Sequence, residues 1–226
     1  MSNDQIAIIL LIVLGMIASY FIRKRFGKGH QEAADELGMR LAEEETKPRN
    51  PARPEEVALM RGEMNGMPAM VFLTGLPGNN PKKRKRMLKA RTHLALESRE
   101  QFPVGLMLEP ILPEALYGSS EAKMPVVVTG DDAFDRVFQL STDNAAEALR
   151  LIDGEFRRQW LEFRKSLAPQ ARDDTMSRTA VNLLMGRLVV EPDRLVYSRR
   201  GTPDRKVAGH LKSGVALVLE IFKEKK

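Results

Sequence analysis

The 226-residue chain has no cysteine. That excludes disulfides, thiolate catalysis and cysteine-ligated metal centres, and it fits a reducing compartment. Histidine is scarce too: His30, His93 and His210 are far apart, and no pair has metal-ligand spacing. His93 is expected on an exposed strand face and His210 on a helix surface, neither as a catalytic base. No H-E-x-x-H or G-x-S-x-G is present, so the zinc-protease and serine-hydrolase signatures are missing. The segment 75–85, GLPGNNPKKRK, resembles a phosphate loop only superficially. Pro81 precedes Lys82, Lys83 follows it, and no Ser or Thr opens a helix there. No cofactor motif and no catalytic constellation stand out, and the metal and cofactor expectations are both none.

What is present is ordinary for a folded protein: 43% hydrophobic and 29% charged residues. The net charge of +6 is unevenly spread. Residues 82–91, KKRKRMLKAR, hold seven basic residues and no acid. Without that run and without Arg23, Lys24, Arg25 and Lys28, the remainder is mildly acidic, 25 basic residues against 30 acidic. A local basic patch points to a local anionic partner rather than to a protein that coats nucleic acid.

One long apolar run exists. Residues 6–22, IAIILLIVLGMIASYFI, carry no charge and would span about 26 Å as a helix. That is the lower limit for a bilayer core. Arg23, Lys24, Arg25 and Lys28 follow at once and would sit at the membrane interface. Only Asp4 is charged before the run, which disfavours a cleaved signal peptide. The pattern predicts a signal-anchored, single-pass protein of the cell (inner) membrane. Residues 1–5 form an outside tail, 6–22 a transmembrane helix, 23–54 a juxtamembrane helix and Pro-rich linker, and 55–226 a cytoplasmic domain.

Within that domain the pattern predicts α+β: a mostly antiparallel sheet with helices on one face. Asn65-Gly66 between two apolar stretches signals a hairpin over 57–74. Leu88, Ala90, Thr92, Leu94 and Leu96 alternate with Lys89, Arg91, His93 and Glu97, which reads as a strand with a charged outer face. Further strands are expected at 103–108, 125–129, 134–141, 183–190 and 194–198. Helical sequence starts at Asn144, with Glu147 three residues on, and runs to Pro169. Phe156, Trp160 and Phe163 share helical spacing and read as core. Thr202-Pro203 reads as the N-cap and first position of a closing helix with Val207, Leu211, Val215, Val218 and Phe222 on one face.

The most distinctive segment is TGDDAFDRVFQL, 129–140. Asp131, Asp132 and Asp135 could bind a hard cation, but no Gly and Glu complete a calcium loop. The plainer reading is a polar turn whose Phe134 and Phe138 enter the core. Gly130-Asp131, Phe134-Asp135 and Phe138 resemble a motif of uncharacterised bacterial membrane-anchored proteins. The resemblance extends to a Gly-rich first hairpin and to a following helix, strand pair and closing helix over 55–222. It implies a bacterial membrane setting and no activity.

The function expected from these features is a non-enzymatic interaction or accessory domain at the cytoplasmic membrane face. Lys82, Lys83, Arg84, Lys85, Arg86, Lys89 and Arg91 would meet anionic lipid heads or an acidic protein partner. Nucleic acid is the disfavoured partner. The competing class is a membrane-anchored enzyme with an acidic site at Asp131, Asp132 and Asp135.

Overall fold

In the computed structural model, the described residues are 28–42, 57–74, 90–98, 102, 104–112, 124–170 and 175–224. They build one nine-stranded sheet in which every pairing is antiparallel, with six helices. The strands are β1 (Arg40–Leu41), β2 (Ala58–Met64), β3 (Met67–Thr74), β4 (Arg91–Glu97), β5 (Leu106–Pro110), β6 (Val126–Val127), β7 (Phe138–Thr142), β8 (Arg187–Glu191) and β9 (Arg194–Arg200). Their order is β1-β2-β3-β4-β9-β8-β5-β7-β6, which puts β4 and β9 near the middle. The helices are α1 (28–37), α2 (Asp132–Asp135), α3 (Ala145–Leu151), α4 (Gly154–Ser166), α5 (Thr175–Leu184) and α6 (Arg205–Glu224).

Local chemistry accounts for several of these elements. Asn65 at φ 52° and Gly66 at φ 78° close the β2–β3 hairpin, because a type I′ turn needs positive φ at both central residues. Asn144 caps α3 by accepting from the Glu147 N–H, and Asp153 starts α4 by accepting from the Phe156 N–H. The closing helix departs from the sequence reading. Asp204, not Thr202, accepts from the Val207 N–H at the start of α6. An ionised carboxylate at this position also meets the helix dipole.

One face of the sheet carries Val71, Leu94, Leu96, Leu195, Tyr197, Leu188, Leu106, Leu108 and Leu140 into the main core. Side chains from α1 to α4 and α6 complete it, including Ala33, Phe134, Ala148, Trp160 and Leu211. Trp160 is the hub, with ring centroids 5.5 Å from Phe156 and 5.6 Å from Tyr197. Offset and edge-on contacts of this kind add to simple area burial. Helix α1 shares the same core, and β1 pairs with β2.

The fold corrects the expected architecture in one respect. No helix among the described residues is long and apolar enough to cross a membrane. The longest described, α6 with 20 residues, carries Arg205, Lys206, Lys212 and Glu220 and lays its apolar stripe on the sheet. A helix with such a polar face belongs on a core in water rather than in lipid. Over the described residues the fold class is therefore an antiparallel nine-stranded sheet with six helices and no membrane-spanning helix, and the transmembrane, single-pass and signal-anchor reading is corrected to that extent. The segments expected to form the span (6–22) and most of its basic flank (Arg23, Lys24, Arg25) lie outside the described residues. Lys28 is described: it is exposed at the start of α1 and forms an ion pair with Glu32 at 3.7 Å.

Candidate functional site: the second face of the sheet

Alternate residues of the central strands point away from the main core. The register places Met70, Ala95, Val196, Val189 and Met107 in one row across β3, β4, β9, β8 and β5. The next row is Phe72, His93, Ser198 and Arg187. Beyond it, Thr74, Arg91 and Arg200 form a third. Met70, Phe72, Ala95 and Val196 make a second, smaller apolar cluster built from strand side chains alone, with Val189 against it. Hence the sheet is buried on both faces at its centre.

His93 sits between apolar and basic neighbours. It is only 9% exposed, stacks flat on Phe72 at 4.5 Å, and its Nε2 is 2.8 Å from Thr74 Oγ1. Burial is the main cause that pushes its pKa down to about 3, and the charges of Arg91, Arg187 and Arg194 add to it. His93 is a neutral imidazole here, not the exposed residue the strand pattern suggested.

Arg91 and Arg200 face each other across β4 and β9, a like-charge pair that antiparallel neighbours normally avoid. Arg91 is held down to about 10, first by burial and then by Arg187 and Arg200, with Glu109 opposing. Arg187 comes from β8, and its Nε is buried without a hydrogen-bond partner. Ser198 donates instead to the Arg187 carbonyl. At the other end of the face, the Arg194 charge is matched by Glu191 through an ion pair of their side chains. At the Arg91 end three arginines, from β4, β8 and β9, stand near Glu109. That end is where the basic run enters the sheet. Of its residues, Arg91 lies on β4, while Lys82, Lys83, Arg84, Lys85, Arg86 and Lys89 lie outside the described residues. Arg187 and Arg200 were missed by sequence reasoning, because only strand register brings residues 91, 187 and 200 together.

The acidic turn is a different kind of structure. Asp131 caps α2 by accepting from the Ala133 and Phe134 N–H groups, each at 3.1 Å. Its other oxygen pairs with Arg157 of α4 at 3.5 Å. Asp135 accepts from the Thr129 N–H, the Thr129 hydroxyl and the Gly130 N–H. Asp132 is exposed. The three carboxylates serve separate roles, and among the described residues no group of three His, Asp or Glu side chains could hold a metal ion. Phe134 and Phe138 pack together in the core at 5.1 Å.

No protein-family model matches the chain, and no curated protein matches it. Among solved structures, it resembles the crystal structure of the mycobacterial trehalose monomycolate transport factor A, TtfA, with TM-score 0.49 and 16% identity over 88% of this chain and 93% of that one. A likeness of that size carries no argument about function.

Proposed function

We propose that this protein is a non-enzymatic interaction or accessory domain that works at the cytoplasmic face of a membrane by meeting anionic lipid heads with its basic run. The observation that carries the reading is the continuity of positive charge. Seven basic residues within 82–91 lead into β4, and Arg91 there is joined by Arg187 and Arg200 on the same sheet face. Arginine and lysine near an anionic surface each contribute about 1 kcal/mol, fading within a Debye length. A few within reach bind usefully, and the binding is sensitive to salt. The acidic turn supports the same choice over the enzyme reading. Asp131 and Asp135 are engaged by backbone N–H groups of their own loop, and their first role is to shape it.

The test is sedimentation of the full chain with vesicles of phosphatidylserine and phosphatidylcholine against phosphatidylcholine alone. Apolar segments contribute alike to both, so the difference isolates charge. The anionic vesicles should bind more protein and release the excess as salt rises. Changing Lys82, Lys83, Arg84, Lys85 and Arg86 together to Gln should remove that excess. Equal binding to both vesicle types would sink the proposal.

A further inference from the structure

We propose that Arg91 and Arg187, grouped around His93 on the sheet face away from the helices, form a binding site for a single phosphate group. The site deepens the reading above but does not depend on the basic run. Its geometry comes from register. Phe72, His93, Ser198 and Arg187 stand side by side on four adjacent strands, and Arg91 is two residues before His93 on β4. Neighbouring strands are about 4.8 Å apart. β4 and β8 flank β9, so the two arginine stems start about 10 Å apart across the sheet, a span that two extended guanidinium side chains can close around one tetrahedral anion.

Charge decides the class of ligand. At this end of the face stand Arg91, Arg187 and Arg200 against Glu109. His93 contributes no positive charge at neutral pH, since burial keeps it neutral. The two guanidinium groups of the site bring two positive charges, which a phosphate monoester dianion matches and a carboxylate only halves. Arginine carries only donors, in a fork that fits phosphate oxygens two at a time. The site has a donor to spare, because Arg187 Nε is buried without a hydrogen-bond partner. Arg91 and Arg187 remain partly exposed, whereas Ala95 and Phe72 beside them are buried, so of these four side chains the two cationic ones are nearest to solvent. The neighbouring rings and methyl groups lower the local dielectric, which strengthens a charge-assisted hydrogen bond.

The experiment uses the full chain and inorganic phosphate, followed by calorimetric titration and by thermal unfolding, with sodium chloride and sodium acetate at matched ionic strength as references. Phosphate should bind and raise the unfolding temperature above both references. Arg91→Gln and Arg187→Gln should each weaken phosphate binding about tenfold or more, as expected for loss of a hydrogen bond to a charged group. Both variants relieve like-charge crowding, so in chloride they should unfold no earlier than the wild type. Should either fail to fold, Arg187→Lys is the substitute; it keeps the charge, loses the fork and should bind phosphate more weakly.

The five-residue Gln variant of 82–86 should keep phosphate binding. Loss there would place the anion on the run and overturn this site while leaving the proposed function standing. Vesicles bearing phosphatidic acid distinguish a lipid phosphate from free phosphate. Competition between those vesicles and inorganic phosphate, lost in Arg187→Gln, assigns a headgroup; phosphate binding without competition assigns a soluble ligand. A phosphate effect no larger than that of chloride, or one unchanged in both arginine variants, would refute the site.

Discussion

The Tyr197 hydroxyl lies 2.8 Å from His210 Nε2, fully inside the core, and accepts a hydrogen bond from the Gly186 N–H. The hydroxyl and the imidazole nitrogen share one proton in this contact, and the His210 tautomer sets which of them donates. Phe163 stacks on the same ring at 4.9 Å, and both Gly186 and Gly214 lie so close to Tyr197 that an added Cβ would collide with its ring. Tyr197→Phe keeps the ring and removes the oxygen. It leaves the Gly186 N–H and the imidazole nitrogen without their partner, so denaturant unfolding should show a loss of about 1–3 kcal/mol. A loss near zero would mean that the hydroxyl is not what satisfies these two groups.

The turn at 129–138 separates packing from capping. Phe134→Ala removes a fully buried ring and should cost about 3–5 kcal/mol in urea unfolding. Asp135→Asn keeps the shape but gives up the charge that Thr129 and Gly130 share, and should cost about 1–3 kcal/mol. Asp132→Asn changes an exposed residue and should stay within about 0.5 kcal/mol. A divalent ion that stabilises the wild type but not Asp132→Asn would restore the ion-site reading of this segment.

The elements best marked in the sequence are those set by short-range chemistry. Asn65-Gly66, the Asn144 and Glu147 pair, and the Phe156, Trp160 and Phe163 spacing each carry their structure locally, and each is found where expected. Period-two reading also aims Thr92, Leu94 and Leu96 correctly. It fails on what lies opposite them. A strand pattern tells which residues share a face, not whether that face meets water, and so His93 read as exposed. His210 misled for a related reason: a lone histidine on an apolar helix stripe has no polar signal of its own, and its partner Tyr197 is contributed by a distant strand. The guanidinium group was out of reach altogether, because β8 and β9 join β4 only through the strand order of the whole sheet.

Acid should destabilise the fold earlier than carboxylate titration alone would. His93 and His210 are both pushed down to about 3, each mainly by burial, with Arg91 the next cause at the first and Arg199 at the second. Their ordinary value is 6.5. Between 6.5 and about 3, the unfolded chain therefore binds two protons that the folded chain refuses at these residues, and His30, also lowered by burial, adds in the same direction. Stability is fully present above 6.5 and falls as pH drops through this window, by about 1.4 kcal/mol per pH unit for each histidine once the unfolded group is largely protonated. The clearest range is pH 6 to 5, above the titration of ordinary carboxylates. Urea unfolding across that range should show a slope of about two protons or somewhat more, His30 included, and His93→Gln should lower it by close to one. The Gln side chain can still meet Thr74 Oγ1, so the variant should fold. A wild-type stability that stays level from pH 6.5 to 5 would show that neither imidazole is held neutral by the fold.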